Sequence, residues 1–199
     1  MKYQLIFIFL FLVTSCKLEK ESKTPKKHNP YEHIEQNLEN EEAIELYYMG
    51  LVFFENGDLE SAKESLNNSF EIEKSPIILN ELGTIELAKK DYQKALKYFN
   101  QGRTLDSSYW PVYINEARCY AKLTEFEKAE NILIKLKELC NSEYWITYAN
   151  YDLAKIYYNS RQGCEKAYEF IEKAKSMASD PELSKQYFNL KSHLEKNCD

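Results

Sequence analysis

Glycine, proline and histidine are scarce in this 199-residue chain, at 5, 5 and 3 copies. Few helix breakers leave room for long helical stretches and little for a turn-rich β architecture. Each glycine has a structural use. Gly57 and Gly163 fall in turns, while Gly50, Gly83 and Gly102 stand where helices must approach one another. None is left for a loop that cradles phosphate. His28 falls in a polar tether, His33 on the segment leading into the main body and His193 near the C-terminus. With no His-x-x-x-His and no Cys-x-x-Cys, no built metal site is expected and no cofactor is implied. Acidic pairs such as Glu41-Glu42 sit at helix starts, where they complement the helix dipole. Cys119 lies in mid-helix without a histidine at useful spacing, so it is expected as a buried thiol rather than a nucleophile. An enzyme is therefore not expected.

Long apolar runs are also missing, apart from Leu5 to Val13 after Met1-Lys2. Nine residues are too few for a permanent membrane span but suit a secretory signal. The run ends in Val13-Thr14-Ser15-Cys16, which resembles the lipobox of bacterial lipoproteins. That resemblance implies cleavage after residue 15 and lipidation of the Cys16 thiol, with acyl chains including palmitate. Lys17 in place of Asp after that cysteine implies no retention at the inner membrane. The expected location is thus the outer membrane, facing the periplasm. An ordinary cleaved signal with a chance cysteine is the alternative.

Charge is unevenly spread. Residues 17–29 carry five lysines against two glutamates, whereas the chain from Pro30 onward has a net charge of -10. Residues 16–29 read as the lipidated cysteine and a flexible basic tether, a solvated spacer whose lysines could also meet anionic headgroups. The acidic body argues against nucleic acid as a partner.

Residues 30–199 are organised by a period. Gly83 has counterparts at Gly50, 33 residues earlier, and at Ala117 and Ala154, 34 and then 37 residues later. Each is followed by an alanine (Ala62, Ala95, Ala129, Ala167) at a separation of 12, 12, 12 and 13. Apolar and aromatic partners accompany them: Phe53, Leu59 and Leu66; Tyr92 and Phe99; Tyr120, Phe126 and Leu133; Tyr157 and Ile171. Eight helices are expected at about 42–55, 59–72, 76–89, 92–105, 110–122, 126–139, 144–159 and 164–178, with a ninth at 182–196. Asn29-Pro30, Ser75-Pro76 and Asp180-Pro181 each put a capping residue before a proline at a helix start.

The run Leu82-Gly83, Tyr92, Ala95 and Phe99 resembles the tetratricopeptide repeat, a helix pair of about 34 residues. Glu86 departs from that pattern where an aromatic is usual, and Glu116 where leucine is common. The resemblance implies an all-α fold, a right-handed superhelical solenoid of about four helix pairs plus a C-terminal capping helix. That last helix carries Leu183, Tyr187, Leu190 and Leu194 on one stripe, as an open array requires at its end. Residues 30–38 are expected to form a similar lid at the front.

By the family's register, the first helix of each pair faces a concave groove. Its expected lining is Tyr47, Leu51 and Phe54; Asn80, Thr84 and Leu87; Asn115, Arg118 and Lys122; and Tyr151, Lys155, Tyr158 and Asn159. Tyr47 and Leu51 stand where a carboxylate-clamping repeat would place lysine and asparagine, so that clamp is not expected. The groove reads instead as an aromatic end and a basic end, suited to a protein or peptide segment carrying acidic groups. The resulting expectation is an envelope-anchored adaptor or assembly factor. An immunity- or inhibitor-type lipoprotein that blocks one envelope-acting enzyme is the alternative, and an enzyme using the groove as a cleft a third.

Export would place the remaining cysteines where disulfides persist. Cys164 opens one helix and Cys198 follows the end of the last; antiparallel packing brings these points together and predicts a Cys164–Cys198 bond. Cys119 and Cys140 are too far apart in their repeat to pair.

Overall fold

Alternating small and large residues at the repeat period become, in the computed structural model, a stack of antiparallel helix pairs. The structure describes residues 38–160, 163–181 and 183–198. The expected signal, Cys16, the tether, Asn29-Pro30 and all of the expected lid at 30–38 except Leu38 therefore lie outside the described residues. All described residues belong to one compact unit.

The helices are α1 (Glu41–Glu55), α2 (Leu59–Ile72), α3 (Pro76–Ala88), α4 (Tyr92–Leu105), α5 (Pro111–Lys122), α6 (Phe126–Leu139), α7 (Glu143–Ser160), α8 (Cys164–Lys173) and α9 (Ser184–Asn197). Helices α1/α2, α3/α4, α5/α6 and α7/α8 form the pairs, and the second helix of each pair packs on the first helix of the next. Helix α5 also touches α3 and α7, so these first helices form one layer. No strand occurs among the described residues, and none of their helices is long and apolar enough to cross a membrane.

Close approach explains the small residues. A Cβ built on Gly83 would lie 2.4 Å from Cε1 of Phe99, and one on Gly50 would lie 2.6 Å from Cγ of Leu66. The alanines Ala62, Ala95, Ala129 and Ala167 are all fully buried. Around them the core runs from Leu38, Leu66 and Leu82 at one end, through Ala95, Phe99 and Cys119, to Leu133, Leu153, Ile171 and Leu194 at the other.

Turns repeat as well. Gly57 closes the α1–α2 turn at φ 81°, and Lys90 and Thr124 hold the corresponding positions of the next two pairs at φ 62° and 60°. Of these three pairs only the first uses the residue suited to that left-handed conformation. Asn40, Asp58 and Asp91 cap α1, α2 and α4 by accepting from the backbone N–H three residues on.

Two expectations about helix ends need correction. Ser75 precedes Pro76 but makes no side-chain capping bond. The expected helix at 164–178 ends at Lys173 and continues as a 3₁₀ turn, Lys175–Ser179. Asp180 then accepts from the N–H of Leu183 at 3.0 Å, and α9 starts at Ser184 rather than 182, with Leu183 rather than Asp180 at its N-cap. The tighter turn carries Met177 into the core beneath α9 and redirects the chain toward the terminal cap.

The glutamates that break the pattern are paired across helices. Glu86 of α3 is buried and bonded to Lys63 of α2. Glu116 of α5 is buried with Arg103 of α4 at 3.2 Å. Burial pushes the Glu116 carboxyl above the usual range, and the Arg103 charge opposes that shift. Cys164 and Cys198 form a disulfide with Cα atoms 5.4 Å apart, tying the start of α8 to the end of α9. Cys119 and Cys140 are buried free thiols.

Candidate binding groove

The layer of first helices carries the expected site residues, and a chain of polar contacts crosses three of them. Asn80 of α3 donates to Glu81 at 3.0 Å and accepts from Asn115 of α5 at 2.9 Å. Arg118, one turn along α5, reaches Asn115 Oδ1 at 3.5 Å and donates through Nε to Asp152 Oδ2 of α7 at 2.7 Å. Lys155 Nζ lies 3.4 Å from the other oxygen of Asp152. The repeat produces this ladder, since residues about 34 apart fall side by side on adjacent first helices.

This arrangement corrects the expected basic end. Asp152 is buried, and its two oxygens hold Arg118 and Lys155. Arg118 keeps 33% of its side chain exposed and Lys155 41%, so both still present part of their charge outward. Their cationic groups also lie over aromatic rings. The Arg118 guanidinium lies 5.8 Å from the Tyr148 ring and Lys155 Nζ lies 5.4 Å from Tyr151. Lys122 is exposed at the end of α5.

The aromatic lining is corrected too. Tyr47 and Tyr151 are buried, as is Asn80. Tyr47 packs with the first core cluster, and Tyr151 sends its hydroxyl to the Gln186 carbonyl at 3.4 Å, under α9. Their rings are needed to fill space between stacked helices, where an aromatic removes more apolar area from water than it could in an open groove. Leu51, Phe54, Thr84, Leu87, Asn115 and Tyr158 are half-buried, and Asn159 is exposed. Thr84 turns its hydroxyl back onto the Asn80 carbonyl at 2.9 Å.

Asp152 was not among the expected site residues. Its signal was present, because it follows Arg118 by 34 positions with opposite charge. Tyr148 was likewise missed; it stands one turn before Asp152 and meets Tyr144 with ring centroids 5.2 Å apart. What the layer offers chemically is a row of part-exposed amide, guanidinium and ammonium groups, the two cations held in place by the buried Asp152 carboxylate. Such a row suits hydrogen bonding to an extended chain better than stacking on rings. Among the described residues no cluster of His, Cys, Asp or Glu is placed to hold a metal ion.

Residues 86–139 match the family model described as tetratricopeptide repeat. Among curated proteins none matches the sequence. Among solved structures, a tetratricopeptide repeat protein from Parabacteroides merdae is 24% identical, with a TM-score of 0.57 over 79% of this chain. The chain spans 62% of that protein's length. YrrB, described as a TPR protein with an unusual peptide-binding site, is 19% identical with a TM-score of 0.55, over 74% of each chain. The first TPR of Spaghetti (RPAP3), bound to an HSP90 peptide, is 18% identical with a TM-score of 0.53, over 62% of this chain and 96% of its own. Paired helices, small residues at the crossings and these likenesses agree: the described residues fold as a solenoid of the tetratricopeptide-repeat type, and residues 86–139 match the repeat itself.

Proposed function

We propose that the protein is an envelope-anchored interaction module that binds a segment of another protein along its layer of first helices, acting by binding and not by catalysis. The observation that carries this reading is the ladder Asn115–Arg118–Asp152–Lys155, which crosses two repeats and holds the part-exposed Asn115, Arg118 and Lys155 in one row around a buried carboxylate. Peptide binding by YrrB and by the Spaghetti repeat supports the same style of work. Two cations share one carboxylate, and Lys122 stands nearby in sequence, so the row favours a partner segment with carboxylates despite the acidic body. The lipobox-like Val13-Thr14-Ser15-Cys16 supports the anchor, and Lys17 in place of Asp after that cysteine supports an outer-membrane location facing the periplasm.

Two experiments test the reading. Cys16→Ala is expected to release the protein from the membrane fraction and remove the lipid mass; retention in membranes at unchanged mass overturns the anchor. Capture of the anchored protein from intact envelope, followed by mass spectrometry, identifies the partner. Binding of that partner by Lys122→Glu/Lys155→Glu is then expected to weaken and to lose salt dependence. Unchanged affinity in this variant overturns the groove.

A further inference from the structure

The first helix of the array exposes the face that every later pair keeps covered. Gly50, Gly83, Ala117 and Ala154 occupy equivalent places in the four pairs. The residue just before each is 44% exposed at Met49 but 0%, 3% and 0% at Leu82, Glu116 and Leu153. Two residues after each, Val52 is 55% exposed while Ile85, Cys119 and Ile156 are at 1%, 0% and 4%. The later faces are covered by the pair before them. Leu66 of α2 packs in the cluster of Leu82 and Ile85, Phe99 of α4 with Cys119, and Leu133 of α6 with Leu153 and Ile156. On α1 the corresponding strip, Ile44, Glu45, Tyr48, Met49, Val52 and Phe53, forms a shallow groove of about 500 Å³.

Charge decides what fits there. Helix α1 contains Glu41, Glu42, Glu45 and Glu55 and no basic residue. Glu41, Glu45, Tyr48, Val52 and Glu55 fall on one row at i, i+4, i+7, i+11 and i+14, so carboxylates stand at both ends and within the apolar strip. A second copy in two-fold contact would set this row against itself. Residues 30–37 of the same chain bring Glu32 and Glu35 and no Lys or Arg, while residues 17–29 bring lysines but only Leu18 as an apolar side chain. Neither supplies both a greasy face and positive charge.

We propose that the exposed face of α1 docks a basic amphipathic helix of a partner protein, which stacks on the array as a preceding repeat helix would. This surface is separate from the ladder on the first-helix layer and goes beyond the proposed function. Apolar residues of the partner cover Met49, Val52 and Tyr48, and its lysines or arginines meet Glu41 and Glu45.

The probe is a fluorescent helical peptide of about 14 residues, a length matched to α1, with leucines on one face and lysines elsewhere. A twin peptide carries glutamate in place of lysine. Anisotropy titrations with the full-length protein are expected to show at least about tenfold tighter binding of the lysine peptide. Met49→Asp/Val52→Asp adds negative charge, so it strengthens a purely electrostatic contact but abolishes docking on an apolar strip; loss of binding is the expected result. Glu41→Lys/Glu45→Lys is expected to reverse the preference between the two peptides. Lys122→Glu/Lys155→Glu leaves peptide binding unchanged, which separates this surface from the ladder. These positions are exposed or, for Lys155, part-exposed, and circular dichroism confirms that each variant keeps its helices. Equal binding of both peptides, or binding that survives Met49→Asp/Val52→Asp, overturns the proposal. So does a dimer in light scattering that Val52→Asp dissociates, which assigns the face to a second copy. Binding that appears only after deletion of residues 30–36 overturns it as well, by assigning the face to this chain's own segment.

Discussion

Arg118 Nε donates to Asp152 Oδ2 at 2.7 Å, and this contact joins α5 to α7 through a carboxylate that solvent barely reaches. Removing Arg118 leaves that carboxylate with Lys155 alone. Arg118→Ala is expected to destabilise the fold by about 2 to 3 kcal/mol, because a buried charge loses its nearest partner. Lys155→Ala is expected to lose less than about 1 kcal/mol, since its contact with Asp152 is longer, at 3.4 Å, and more open to solvent. Urea unfolding of the two variants checks the order, and equal losses would remove Asp152 as the organising group.

Gly83 and Phe99 make the second prediction. Alanine in a helix interior is normally favoured over glycine by about 1 kcal/mol. Here the added methyl meets the Phe99 ring at 2.4 Å, and that ring is fully enclosed. Gly83→Ala is therefore expected to destabilise by about 1 to 3 kcal/mol. Phe99→Leu in the same chain should recover part of the loss, and a double-mutant cycle with no coupling would rule out the clash.

Thr124 holds φ 60° in the α5–α6 turn, where its β-branched side chain is poorly suited. Thr124→Gly is expected to raise stability by about 1 kcal/mol, as relief of strain outweighs glycine's larger unfolded-state entropy. A lower melting temperature in the variant would refute this account of the turn.

Glu116 carries a sign for pH. Burial raises its folded pKa above the unfolded value, with Arg103 opposing. The folded state therefore binds this proton more readily, and the group's contribution to stability declines as pH rises from the carboxylate range through the raised value. The stability difference between wild type and Glu116→Gln, followed from about pH 4 to pH 8, is expected to shift in favour of the variant as pH rises. A difference that is flat with pH, or of opposite slope, would contradict the burial of this carboxyl.

The thiols make the last prediction. Non-reducing peptide mapping should recover Cys164 linked to Cys198, and Cys198→Ser should lose about 2 to 4 kcal/mol, given the 34 residues that the bond spans. Burial pushes the Cys119 thiol up to about 11, so little thiolate is present near neutral pH. Iodoacetamide should label Cys119 only after denaturation. Labelling in the native state at the rate of a free thiol would show that α5 opens.

The repeat, the pairing of helices and the position of each crossing were legible in the sequence. Gly50, Gly83, Ala117 and Ala154 with their alanines mark where backbones approach, and packing admits few other residues there. The site was legible only in part. Periodicity places Tyr47, Tyr151, Arg118 and Lys155 on the first-helix layer, yet it does not say how far each side chain reaches between neighbours. Stacking buried the two tyrosines, because large rings fill the gaps between pairs. It also brought Asp152 under Arg118 and Lys155, converting an expected basic patch into a shared ion pair. Exposure of α1 was decided by stacking as well. Met49 and Val52 are as apolar as Leu82 and Ile85, and burial depends on a neighbouring helix pair that their own residues do not encode.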